Sequence, residues 1–187
     1  MERRELIKMI TVLTGAAFVG GGVFTGCKSE PEIGGAAFND SDIAFLDEVS
    51  ETILPATSSP GAKAAKVGDF MKVMVNDTYE TKDQEVFHKG IKDLNEAFKK
   101  ANGKSFLEGT PEQRTTFLTT LDGEAKAYQK SKKDGEPSHY FTMIKQLTLL
   151  GFFTSKEGAT QALRYKAVPG KYIGDYPYKK GDKAWAT

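Results

Sequence analysis

Apolar positions recur at helical spacing from Asp40 to about Leu163, and no stretch alternates in the period-two manner of a half-buried strand. Phe45, Leu46, Val49 and Ile53 mark a first helix, which Asp40 or Ser41 can cap and which must stop before Pro55. Residues 54–62, LPATSSPGA, carry the Pro, Gly and Ser of a loop. Val67, Phe70, Met71 and Met74 fall at i, i+3, i+4 and i+7 of a second helix. Phe87, Ile91, Leu94 and Phe98 stripe a third, which ends near Gly103. In Thr110-Pro111-Glu112-Gln113 a threonine caps, a proline takes the first helical position and a glutamine reaches back to the cap. The fourth helix behind it is expected to bury Phe117, Leu118, Leu121, Ala125 and Tyr128. After a polar turn, SKKDGE, a fifth helix is expected from Pro137. Its Tyr140, Phe141, Met143, Ile144, Leu147, Leu149 and Leu150 make it apolar on most sides, as suits the centre of a bundle. A short sixth helix, about 156–163, follows a Thr154 or Ser155 cap. The pattern predicts an all-α fold, a single domain over 40–187 built as a bundle of five to six helices with an irregular, aromatic-rich C-terminal tail.

That tail starts where the helical period ends, at Arg164. It holds Tyr165, Tyr172, Tyr176, Tyr178 and the chain's only tryptophan, Trp185, among prolines, glycines and Lys166, Lys171, Lys179, Lys180 and Lys183. Such a segment cannot fold alone, so its rings either cap their own bundle or grip another protein; both uses fit. Phe152, Phe153, Tyr165, Pro169, Tyr172, Tyr176, Tyr178 and Trp185 are the candidate partner-interface residues.

The N-terminus carries a different message. Arg3 and Arg4 open a charged stretch, and Met9 to Phe24 is an uncharged run of sixteen residues. A membrane span needs about 20 apolar residues, so this run fits the core of a removable export signal, residues 1–26. Arg3-Arg4-Glu5-Leu6-Ile7-Lys8 resembles a twin-arginine signal, and Phe24-Thr25-Gly26-Cys27 resembles a lipoprotein cleavage box with Cys27 as the acylated residue. Residues 27–39 would then be a flexible tether, and the mature protein would sit lipid-anchored on the periplasmic side of a bacterial envelope.

Chemistry is sparse. Without the leader the chain has 23 basic and 23 acidic residues, which excludes the excess cation that nucleic-acid binding requires. Cys27 is the only cysteine, so there is no intramolecular disulfide, no C-x-x-C-H haem site and no iron–sulfur ligation. His88 and His139 fall on separate helices without a metal-binding spacing; His88, between Phe87 and Lys89, reads as solvated. No phosphate-binding glycine loop and no G-x-S-x-G elbow occurs. Met71, Met74 and Met143 read as core filler. No catalytic, cofactor-binding or metal-binding residue is expected in this chain.

Three stretches then resemble the gluconate 2-dehydrogenase subunit 3 family. They are Thr52-Ile53-Leu54-Pro55-Ala56-Thr57 with Pro60-Gly61-Ala62, Ala65, Phe70, Val75 and Tyr79 following; Leu147-Thr148-Leu149-Leu150-Gly151-Phe152-Phe153-Thr154-Ser155 with Gly158-Ala159; and Tyr165 with Val168-Pro169-Gly170 and Tyr172. Phe152 stands where the family often has tyrosine. The resemblance implies a small, non-catalytic gamma subunit of a membrane-associated sugar or polyol dehydrogenase. Its large partner would be an FAD enzyme of the glucose–methanol–choline type, often without its own export signal, passing electrons to a cytochrome c subunit or a quinone. A stand-alone lipoprotein that binds a ligand or an envelope component is the competing reading of the same residues.

Overall fold

The computed structural model describes residues 33–186. The expected leader, with Arg3, Arg4 and Cys27, lies outside the described residues. Among the described residues there are five α-helices: α1 (Asp40–Ile53), α2 (Val67–Thr78), α3 (Thr81–Asn102), α4 (Pro111–Ser131) and α5 (Tyr140–Thr154). A 3-10 turn, Phe106–Glu108, links α3 to α4, and a π-helical turn, Gly158–Ala162, follows α5. Two-residue strands β1 (Arg164–Tyr165) and β2 (Trp185–Ala186) pair in parallel, Arg164 opposite Trp185 and Tyr165 opposite Ala186. The fold is helical, as the periodicity predicts.

Helix α5 touches each of the other four α-helices. Its Phe141, Met143, Ile144, Leu147, Gly151 and Phe152 line the interior, where burial of each large apolar side chain contributes about 1.5–3 kcal/mol. Beneath it runs a chain of edge-on rings: Phe45 meets Phe106 at 5.4 Å, Phe106 meets Phe98 at 4.9 Å, and Phe98 meets Phe117 at 5.3 Å. Met71 and Met143 are buried and Met74 packs against the core, so the methionines fill space as expected. Gly90 explains how α3 and α5 come so close, since a Cβ there would stand 2.2 Å from the Cβ of Tyr140.

The helix ends differ from the sequence reading in instructive ways. Asn39, not Asp40 or Ser41, caps α1: its side chain accepts from the N–H groups of Ser41 (2.8 Å) and Asp42 (3.0 Å), and Asp42 accepts in return from Asn39 N–H at 3.1 Å. The buried Asp42 also accepts from Gly34 N–H at 2.7 Å, and Ile33 is buried in the core. The described end of the expected tether, residues 33–39, is therefore docked on the body rather than free.

Helix α4 begins as expected, with reciprocal bonds between Thr110 and Gln113. Helix α5 begins three residues later than expected, because Pro137–His139 is pinned in extended form against α4. The Tyr128 hydroxyl donates to Pro137 O at 3.2 Å, and His139 N–H donates to Gln129 Oε1 at 3.3 Å. Reaching for that carbonyl leaves the Tyr128 ring largely at the surface, not in the core. The expected sixth helix is the π turn: Ser155 caps it by accepting from Gly158 N–H at 3.0 Å, and Leu163 N–H donates to Gly158 O, five residues back, at 2.9 Å.

His139 caps α5, its Nδ1 accepting from Phe141 N–H at 3.2 Å, which only a neutral ring can do. Burial holds its pKa below the ordinary histidine value of 6.5, against a smaller opposing pull from Glu124. A depressed folded-state pKa means that the contribution to stability is complete above 6.5 and is lost as the pH falls below it. His88 is shifted the same way by burial. Replacing His139 by asparagine, a good cap with no proton to gain, should preserve stability above 6.5 and flatten part of the decline below it, as urea unfolding across that range will show.

Candidate partner-binding surface

The last two turns of α5 carry the sequence Leu149-Leu150-Gly151-Phe152-Phe153, and the helical period sends these residues both ways. Gly151 faces inward, where a Cβ would meet Phe70 of α2 at 2.7 Å, and Phe152 is 4% exposed. Phe152 thus lies in the core, not on the surface expected of an interface residue. It supports Phe153 from beneath, ring edge against ring face, 5.1 Å between centroids. On the other face Leu149, Leu150 and Phe153 stand 38, 45 and 38% exposed. These three side chains, at i, i+1 and i+4, form one apolar patch beside the exposed Gln146. Of the apolar side chains that the sequence assigns to α5, Phe141, Met143, Ile144 and Leu147 are buried as expected, whereas Leu149 and Leu150 are not.

The chain then turns sharply. Ser155 Oγ donates to Phe152 O at 2.7 Å and closes the helix. Gly158 follows at a point where a Cβ would stand 1.9 Å from that same carbonyl oxygen, so only glycine lets the backbone pass.

From β1 the chain leaves the body. Every residue from Tyr165 to Trp185 is exposed, with Tyr172 at 94% and Val168 at 77%. The two ends of this loop are fastened by the β1–β2 pair and by Arg164, whose guanidinium lies 4.1 Å from the Trp185 ring centre and 5.8 Å from that of Tyr176. Tyr176 and Trp185 meet edge-on at 5.5 Å. The rings of Tyr165, Tyr172, Tyr176, Tyr178 and Trp185, together with Pro169, therefore do not bury themselves in the bundle. They stand on a closed loop of their own.

Away from this surface, Glu48 and Arg114 form an ion pair that joins α1 to α4. Glu48 receives Arg114 and Lys63; burial alone would raise its pKa, but the Lys63 hydrogen bond and the Arg114 charge hold it below the usual carboxylate value. Arg114 Nε and Nη2 also donate to Phe106 O (2.8 Å) and Leu107 O (2.7 Å). His88, expected to be solvated, is half-buried: Phe38 packs on it at 4.5 Å, and its Nδ1 is buried without a hydrogen-bond partner. Among the described residues no three His, Cys, Asp or Glu side chains are grouped to hold a metal ion, and no helix is long and apolar enough to cross a membrane.

Residues 40–170 match the family described as gluconate 2-dehydrogenase subunit 3. The chain belongs to the gluconate 2-dehydrogenase subunit 3 family. Members are small, non-flavin subunits of sugar dehydrogenase complexes. No curated protein and no solved structure matches the chain. In this subunit 3 domain the TILPATSSPGA stretch is the end of α1 followed by a loop tied back to the helix by Glu51, whose carboxylate accepts from Ala56 N–H (2.9 Å) and Lys63 N–H (2.8 Å). Gly61 passes directly over that carboxylate, where a Cβ would lie 2.1 Å from Oε1. The LTLLGFFTS stretch is the two-faced end of α5, and Val168-Pro169-Gly170 opens the exposed loop. Three residues essential to this arrangement escape a pattern search: Glu51, Arg114 and Phe106 sit outside any apolar period, and only the local Ser105–Glu108 capping box hints at the last.

Proposed function

We propose that this chain is a non-catalytic accessory subunit of a periplasmic FAD-dependent dehydrogenase of the glucose–methanol–choline type, acting on a sugar, polyol or gluconate. Its partner carries the flavin and removes hydride from a CH–OH group; a cytochrome c subunit takes the electrons onward. The chain contributes export through Arg3 and Arg4, membrane attachment through acylated Cys27, and stability through a docking surface. The observation that carries this reading is the uncovered patch of Leu149, Leu150 and Phe153, in a domain whose family works inside dehydrogenase complexes. Three neighbouring large apolar side chains exposed at the end of an otherwise packed helix make a natural centre for a protein interface. Tyr165 and Pro169, exposed and within the family-matched span, are further candidates for partner contact.

The export role is tested by replacing Arg3 and Arg4 with lysine in the native host. Dye-linked dehydrogenase activity should leave the envelope fraction and accumulate in the cytoplasm. Activity that stays in the envelope while this chain is stranded would show that the flavoprotein travels independently.

A further inference from the structure

The formal neutrality of the mature chain conceals a separation of charge. Residues 40–163 carry sixteen basic and nineteen acidic side chains, a balance of −3, whereas residues 164–186 carry six basic and two acidic, a balance of +4. The positive segment is the closed loop between β1 and β2, and it exposes both its lysines and its rings. Tyr172, Tyr176, Tyr178 and Trp185 also lie beyond the span matched to the family.

We propose that this loop is a membrane-surface contact that binds anionic phospholipid headgroups. Cores of protein interfaces are depleted in lysine, yet five of the loop's residues are lysines: Lys166, Lys171, Lys179, Lys180 and Lys183. Lysine clusters mixed with tyrosine and tryptophan suit the boundary between headgroups and acyl chains, where amphipathic rings lie in the interface and ammonium groups meet lipid phosphates. The Arg164 clasp on Trp185 and Tyr176 holds the loop's two ends together, so the loop is already closed before it meets lipid. Binding here would orient the domain on the bilayer, which a single lipid anchor alone does not do. The proposal concerns the loop and stands apart from docking through α5.

Trp185 is the chain's only tryptophan, so it reports on this loop without labelling. The full-length, processed protein is reconstituted into vesicles of phosphatidylcholine, with and without phosphatidylglycerol, and its emission is recorded. On phosphatidylglycerol the emission should shift to shorter wavelength and be quenched by brominated phosphatidylglycerol, and Lys171→Glu with Lys179→Glu and Lys180→Glu should abolish both effects. A second reporter, Tyr172→Trp with Trp185→Phe, covers the case in which stacking on Arg164 masks the change. Three results would overturn the proposal: no response of either reporter to lipid, equal responses with and without phosphatidylglycerol, or a response only when the dehydrogenase subunit is added. The last would assign the loop to protein docking. Failure of the accessory-subunit reading would instead show as absence of a complex, with these lipid responses intact.

Discussion

Replacing Phe106 by alanine should cost about 3–5 kcal/mol of folding stability, a large share of the roughly 5–15 kcal/mol that holds such a domain together. Phe106 is fully buried although it lies in the short connection between α3 and α4. Its ring joins Phe45 to Phe98 edge-on, and the Arg114 guanidinium sits 5.4 Å from its centre. Its N–H donates to Asn95 Oδ1 at 3.0 Å, and its carbonyl accepts from Arg114. Truncation therefore removes the transfer energy of a large ring, two ring pairs of about 0.5–1.5 kcal/mol each, and the apolar platform under a largely buried cation. Phe106→Leu, which keeps most of the volume, should cost clearly less. Urea unfolding measures both; an alanine variant within about 1 kcal/mol of wild type would show that the ring chain does not organise the core.

A second pair of substitutions should separate surface from core on one helix. Leu150→Lys with Phe153→Lys introduces cations near the C-terminus of α5, where the helix dipole favours them, so stability should stay within about 1 kcal/mol of wild type. Affinity for the flavoprotein subunit should nevertheless fall by about 2–4 kcal/mol, roughly 30- to 1000-fold, the cost expected when central apolar anchors of an interface are replaced by charges. The adjacent Phe152→Ala should do the opposite first, lowering the melting temperature because that ring is buried. Unchanged affinity in the double lysine variant would remove this patch from the interface.

How much of this was legible in the sequence follows from which forces leave a periodic trace. Helix spans, the Thr110 capping box and the Gly103 stop, with its φ of 74°, are local signals and were readable residue by residue. The cap of α1 lies one or two residues before the expected Asp40 or Ser41 because Asn39, Asp40 and Ser41 are all competent caps; the reciprocal bonds between Asn39 and Asp42 distinguish Asn39. The apolar run of α5 says that the helix is hydrophobic, but not which of its faces the other helices cover. Only the packing shows that Phe152 is covered and Phe153 is not. The tail was readable as aromatic and non-helical. Its closure by Arg164 was not, since a cation–π clasp between positions 164 and 185 has no sequence period. The lysines of the tail are plain in the sequence, but that the segment closes into an exposed loop is shown only by the structure.

The native mass of the processed protein tests most directly whether the chain works as a subunit. Solubilised from its own envelope and resolved by size with flavin absorbance followed alongside, it should run in a complex with a flavoprotein whose flavin is bleached by substrate. The chain separated from that complex should carry no flavin. A chain that runs as a monomer from native membranes, or that keeps tightly bound flavin once isolated, would contradict the account.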